Sequence, residues 1–173
     1  KTAFIEHKDM LHCLIIKEEQ NIKGIEVEEK ILKRIDELEK KYGEVECVET
    51  THAGHAAELA KNAVGEYDYF FVAGGDGTLN EIVNGMGDAE NKPIIGYIPS
   101  GTVNDISRSL GISRNIKKAV KNLITGTPFS HDIFKVNKRY GIYVCASGLF
   151  TKSSYITKQK EKIIRPNIYI CQL

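Results

Sequence analysis

The feature that most constrains this chain is an apolar run that stops in glycine. Phe70, Phe71, Val72 and Ala73 lead directly into Gly74, Gly75, Asp76 and Gly77, and Thr78, Leu79, Asn80 and Glu81 follow. The pattern predicts a buried strand, a tight loop and the first turn of a helix opening near Thr78. Glycine carries no Cβ, so its amides approach an anion closely and a positive φ costs it little. A helix start adds unpaired N–H donors and the positive end of the helix dipole. Asp76 is the unusual member of such a loop. A carboxylate beside phosphates repels them unless it holds a cation or takes a proton from an attacking hydroxyl, which points to phosphoryl transfer rather than anion binding alone. The Walker pattern is excluded, because no lysine follows Gly77, and the dinucleotide fingerprint fails at Asn80, where it needs glycine.

Around this string the apolar periodicity alternates. A core strand is predicted at residues 11–17 and a long helix from about residue 25 to Tyr42, with Val27, Ile31, Leu32, Ile35, Leu38 and Tyr42 on one stripe. A short strand at 44–49 places Val45 and Cys47 opposite Val48. A second, alanine-rich helix runs through Ala56, Leu59, Ala60, Ala63 and Val64. Pro93 to Ile98 reads as another buried strand, ending in Ser100, Gly101 and Thr102. Residues 103–110 follow as a helix with Thr102 as its N-cap, and 115–125 as a further helix. Strands alternating with helices predict a doubly wound, mostly parallel α/β sheet. Ligands of such sheets gather at the carboxyl ends of the strands, where both glycine-bearing loops lie. After Pro128 the rhythm becomes β-hairpin-like, with strands at 129–136 and 140–146 joined by Asn137, Lys138 and Arg139. The expected division is an α/β nucleotide-binding domain over 1–129 and the beginning of a β-rich second domain over 130–173.

Composition removes several classes of function. Lys and Arg total 24 against 23 Asp and Glu, so no charge excess argues for nucleic acid. No apolar run is long enough to span a bilayer. Cys13, Cys47, Cys145 and Cys171 stand apart in apolar contexts and read as reduced core thiols of an intracellular protein. His52 and His55 lack a third ligand at metal-site spacing, so they read as a helix-start pair. Lys152, Lys158, Lys160, Lys162 and Arg165 form a basic cluster, either a solvated face or an attraction for anionic headgroups. The chain opens on Lys1 with no signal peptide, which reads as a start lying upstream.

Taken together these strings resemble the diacylglycerol kinase catalytic-domain family of lipid kinases. The stretch from Gly74 through Asn80, Glu81, Ile82, Val83, Asn84 and Gly85 is similar to the family signature. Gly101, Thr102, Val103, Asn104 and Asp105 match its second motif. Thr50 with Gly54, His55, Ala56, Glu58, Leu59 and Ala60 resembles a third. The resemblance implies ATP in a cleft between the α/β domain and a β-sandwich. Gly74, Gly75, Asp76, Gly77, Thr78, Leu79 and Asn80 would enclose the phosphates. Thr50, Gly101, Thr102, Asn104 and Asp105 would line the nucleotide pocket. Mg²⁺ would bridge the phosphates, with Asp76 positioning it or activating a lipid hydroxyl, and Glu81, the second catalytic candidate, would support the loop or the metal from behind.

The same resemblance implies a cytoplasmic enzyme peripheral to the membrane, with a homodimer left open. Two alternatives stand beside the lipid kinase: a kinase of a soluble acceptor such as NAD, and a non-catalytic nucleotide-binding module. The module reading is motivated by the loop at residues 18–24. It departs from the family's Asn-Pro-x-x-Gly type and brings in Glu18 and Glu19. The family's further acidic residues would lie beyond this chain.

Overall fold

The computed structural model describes residues 12–17, 29–31, 33–145 and 167–172. Its centre is a six-stranded sheet. The two inner strands are β3 (Tyr69–Gly74) and β4 (Ile94–Pro99), paired in parallel from Tyr69 with Ile94 to Gly74 with Pro99. On the other side of β3 lies β1 (His12–Lys17), and outside that β2 (Glu44–Glu49), both parallel. Four consecutive parallel strands therefore end on the same edge.

Side-chain alternation along β3 explains why its apolar run is unbroken. Phe70 and Val72 face one layer of helices; Phe71 and Ala73 face the other. Tyr97 and Ile95 of β4 join the first layer and Ile98 the second. The first layer is built by α2 (His55–Ala63), α3 (Asp76–Met86) and the short α4 (Asp105–Ser109). The second is built by α1 (Ile35–Tyr42) and α5 (Ile116–Thr125). Each fully buried Phe, Ile or Leu in these layers contributes roughly 1.5–3 kcal/mol of transfer free energy. The alanines of α2 serve close approach: a Cβ at Gly85 of α3 would lie 2.2 Å from the carbonyl oxygen of Ala57. In the second layer Tyr42 donates its hydroxyl to the Leu123 carbonyl, and Lys41 Nζ reaches the Ile124 carbonyl at 2.6 Å. Both groups satisfy carbonyls that the end of α5 leaves unpaired.

Several expectations change in detail. The first helix is not continuous: residues 29–31 are helical, residues 33 and 34 form a turn, and α1 begins at Ile35. Ile31, Leu38 and Tyr42 are buried on the expected stripe; Val27 and Leu32 lie outside the described residues. Cys47 and Cys145 are exposed, not core residues. Cys47 sits on β2, which forms the edge of the sheet and gains cover only around Val45 and Val48. The strand expected at 129–136 is two strands. β5 (Thr127–Asp132) turns at Ile133 into β6 (Phe134–Val136), which pairs with β7 (Arg139–Gly141) in a separate hairpin. Asn137 makes that turn at φ 56°. Residues 142–145 do not continue β7.

The main sheet is completed by β8 (Asn167–Gln172). It lies between β4, to which it is parallel, and β5, to which it is antiparallel. The basic cluster at 152–165 and the loop at 18–24 lie outside the described residues. Among the described residues no helix is long and apolar enough to cross a membrane.

Candidate active site

The site is built where β3 and β4 end side by side. The carbonyl of Gly74 accepts from the amides of Ser100 at 3.0 Å and Gly101 at 3.3 Å, so the two glycine loops are joined at their first residues. The glycines answer a need for space. Gly75 is extended at φ −88°, ψ −177°, and the positive-φ glycines lie elsewhere, at Gly43, Gly54, Gly65, Gly87 and Gly111. A Cβ at Gly101 would fall 2.4 Å from the Cα of Gly75, and one at Gly74 would fall 2.7 Å from the Cβ of Thr78. The expected left-handed freedom of the first loop is therefore not used. What matters is close approach: the Gly101 backbone lies on the Gly75 backbone and Gly74 lies under the Thr78 side chain, so a side chain at Gly101 or Gly74 would force them apart.

Asp76 is the first residue of α3, two positions before the expected start. Its carboxylate crosses to the second loop, where Oδ2 accepts from the Asp105 amide at 2.9 Å and Oδ1 from the Ile106 amide at 3.0 Å. These are the unpaired first amides of α4. The cap expected from Thr102 is thus supplied from 29 and 30 residues away. Thr102 is exposed, and α4 begins after Asn104, not at Val103. Asn104 takes the left-handed region at φ 54°, ψ 50°, which asparagine tolerates better than most residues. It is buried, donates Nδ2 to the Gly101 carbonyl at 2.6 Å, and its own carbonyl accepts from Ser107 Oγ at 2.7 Å.

Glu81, one turn further along α3, points to the third motif. Its Oε1 accepts from the Gly54 amide at 3.1 Å, tying α3 to the start of α2. His52 and His55 stack at 4.7 Å with an 11° interplanar angle, and His55 Nδ1 accepts from the Thr51 amide at 3.0 Å. Thr50 is buried at the end of β2.

A cleft of about 660 Å³ opens beside this junction. One wall carries Asp76, Gly77, Asn80, Asp105 and Ile106. The other is the β6–β7 hairpin, through Phe134, Val136, Arg139 and Tyr140. A Cβ at Gly77 would meet nothing within 4 Å.

The hairpin is fastened to α3 by a residue that sequence reasoning left inside a motif without a role. Asn84 accepts the Tyr140 amide at 2.9 Å and donates Nδ2 to the Tyr140 carbonyl at 2.9 Å and to the Asn80 carbonyl at 2.8 Å. Nearby, Asp88 receives Lys135 Nζ at 2.7 Å and the Tyr140 hydroxyl, and Lys135 lies 4.7 Å from the Tyr140 ring centre. The bonds from Lys135 and then Tyr140 hold the Asp88 carboxyl below its ordinary range. The bond to Asp88 raises Lys135. Burial, then the bond to Asp88, raises Tyr140. The signal that could have found Asn84 is its spacing: four residues beyond Asn80, it shares the helix face of a cleft residue.

The comparisons with known proteins meet this geometry directly. The model of the diacylglycerol kinase catalytic domain matches residues 21–136. The chain belongs to the diacylglycerol kinase catalytic domain family. It is 45% identical over 126 residues to a protein named diacylglycerol kinase from Staphylococcus carnosus, covering 72% of this chain and 41% of the relative. It is 44% identical over 134 residues to one from Staphylococcus aureus, covering 76% and 42%. The crystal structure of a diacylglycerol kinase from Bacillus anthracis superposes with a TM-score of 0.64 at 27% identity, covering 78% of this chain and 46% of that one. The chain therefore spans less than half the length of these relatives.

Of the residues expected at the family's site, Asp76, Gly77, Asn80 and Asp105 line the cleft. Gly74, Gly75, Gly101 and Asn104 form the junction behind it. Leu79 is fully buried in the core and Thr78 packs against Gly74. Thr50, Glu81 and Thr102 lie outside the cleft lining.

Proposed function

We propose that this chain forms the nucleotide-binding part of an ATP-dependent lipid kinase that phosphorylates a lipid hydroxyl such as that of diacylglycerol. The observation that carries the reading is Asp76, a fixed carboxylate on an open cleft next to a glycine junction. Each of its oxygens accepts one main-chain amide, which leaves further lone pairs for a cation or a hydroxyl proton. The side chain is oriented before any ligand arrives, as a positioning catalyst requires. The family membership and the names of the relatives support the same reaction class.

Among the described residues Asp76 and Asp105 are the carboxylates lining the cleft, and Asp105 Oδ1 also accepts from Arg108 at 3.1 Å. Two oxygen donors of this kind suit Mg²⁺, which is held by one or two carboxylates together with phosphates and water. When bound, the ion would neutralise charge on the phosphates. The chain's own part is to hold the phosphates against Gly77 and Asn80 and to receive the acceptor's proton at Asp76. In this reading residues 1–129 carry the nucleotide site, and the hairpin is the cleft-facing start of the second, β-rich unit. The enzyme would work peripherally at the cytoplasmic face of a membrane, and a homodimer is compatible with it.

The capping bonds favour one competing reading, in which Asp76 is only structural. Turnover of diacylglycerol with Mg·ATP, measured beside the melting temperature, separates the two. Asp76→Asn keeps one cap oxygen but turns an NH2 toward the other capped amide, so it should lose about 1 kcal/mol of stability while staying folded, yet lose at least about a hundredfold in kcat. Asp76→Ala should lose turnover and also about 1–2 kcal/mol of stability. Near-normal turnover by Asp76→Asn would leave Asp76 as a cap alone.

A further inference from the structure

The hairpin that forms the far wall of the cleft is bonded to the first helix layer through the side chains of Asn84 and Asp88, and its main chain is held by Asn84. Tyr140 commits both its main-chain N–H and its C=O to Asn84, at 2.9 Å each. In the hairpin Tyr140 lies opposite Lys135, between the pairs Val136 with Arg139 and Phe134 with Gly141. In an antiparallel ladder, paired residues alternate between bonding each other and turning their main-chain groups outward. Tyr140 is an outward-turned position on a sheet of two strands. Asn84 supplies the donor and acceptor that a third strand would have supplied, from a helix in place of a strand.

The same Asn84 Nδ2 bonds the carbonyl of Asn80, and Asn80 lines the opposite wall. One amide side chain thus touches the backbone of both walls. Asp88, with its bonds to Lys135 and the Tyr140 hydroxyl, fastens the hairpin a second time, two residues past the end of α3.

We propose that Asn84 is a positioning residue that sets the width of the cleft, so that the nucleotide is gripped only while the hairpin is stitched to α3. This rests on the nucleotide reading above and assigns its affinity to a residue outside the glycine loops. Asn84 touches neither Asp76 nor α4. Its loss moves the hairpin wall and leaves the Asp76 carboxylate on the Asp105 and Ile106 amides. The deficit therefore falls on nucleotide binding and not on the chemical step.

Two readouts test it on the intact protein. In Asn84→Ala, hydrogen exchange should quicken at the Tyr140 amide while the β3 amides keep their protection. KM for Mg·ATP should rise about tenfold, with kcat within about threefold of wild type. Asn84→Asp keeps the acceptor for the Tyr140 amide but turns an oxygen toward the carbonyls of Tyr140 and Asn80. At pH 8 it should fail as the alanine variant does. As pH falls and the new carboxyl gains a proton, a donor returns, and the variant's KM should move toward that of wild type at the same pH.

Should Asn84→Ala not fold, Asp88→Ala loosens the same hairpin without altering Asn84 and should raise KM in the same direction by a smaller factor. Quickened exchange at Tyr140 with an unchanged KM, in either variant, overturns the proposal and leaves the kinase reading intact. A wild-type protein that neither binds nor turns over Mg·ATP removes the kinase reading, and this proposal with it.

Discussion

The two walls of the cleft are held by opposite means. The α/β wall is a junction of main chain on main chain: Gly101 packs against Gly75, the Gly74 carbonyl bonds the second loop, and Asp76 caps α4. Nothing in it can be displaced without separating β3 from β4. The hairpin wall has two short strands, rests Tyr140 and Ile142 on the first core layer, and is fastened by Asn84 and Asp88. The contrast teaches that this cleft joins a rigid face to an adjustable one. On the proposed reading, placement of the reacting groups belongs to the first and grip to the second.

The sharpest way to break that contrast is a pair of glycine substitutions. Gly101→Ala drives a methyl to 2.4 Å from the Gly75 Cα, and should cost about 3 kcal/mol in a denaturant melt. Gly77→Ala meets open space. As an exchange near a helix start it should be neutral or stabilise by roughly 0.5 kcal/mol. Equal losses for the two would show that the α/β wall is not a close-packed junction.

The hairpin wall is tested by acid. Asp88 is held below its ordinary 3.8, so its bonds contribute fully above that value and are lost as pH falls through the lowered one. The stability gap between wild type and Asp88→Asn should be constant near neutrality and close below about pH 4. A gap that persists in strong acid would mean that the carboxylate's charge does not fasten the hairpin.

The smallest effect belongs to a control distant from both walls. Tyr67 donates its hydroxyl to Glu46 on the edge strand β2, and that bond pushes the phenol up to about 12 from 10.0. Its stabilisation is present below pH 10 and fades as pH rises toward 12. Tyr67→Phe should converge with wild type across that interval and leave Mg·ATP binding untouched. A change in nucleotide affinity here would show that the two walls are not separate from the rest of the sheet.

What could be read from the sequence divides along the same line. The apolar runs of β3 and β4 and the glycines after them were readable because each is a local pattern. The alternation of strands and helices gave the parallel sheet for the same reason. Asn137 marked the hairpin turn. The contacts that assemble the site were not readable in this way. Asp76 finds the α4 amides across 29 and 30 residues, and Asn84 finds Tyr140 across 56. No periodicity encodes such distances. No strand was expected at residues 167–172, because nothing local says which neighbours an apolar run will find, and β8 enters the main sheet between β4 and β5. Cys47 looked like a core residue because its strand is apolar in part. Only the strand order reveals that β2 is an edge.

The contact between Gly75 and Gly101 has a consequence for how such a molecule changes over generations. The constraint is one-sided: a Cβ at Gly101 would fall 2.4 Å from the Gly75 Cα, whereas one at Gly75 would meet the Gly101 Cα at an ordinary 3.4 Å, so Gly101 is the position that stays closed to a larger residue. On the proposed reading, a change in nucleotide or acceptor preference enters more readily from the opposite bank of the groove, where side chains are large, varied and replaceable one at a time.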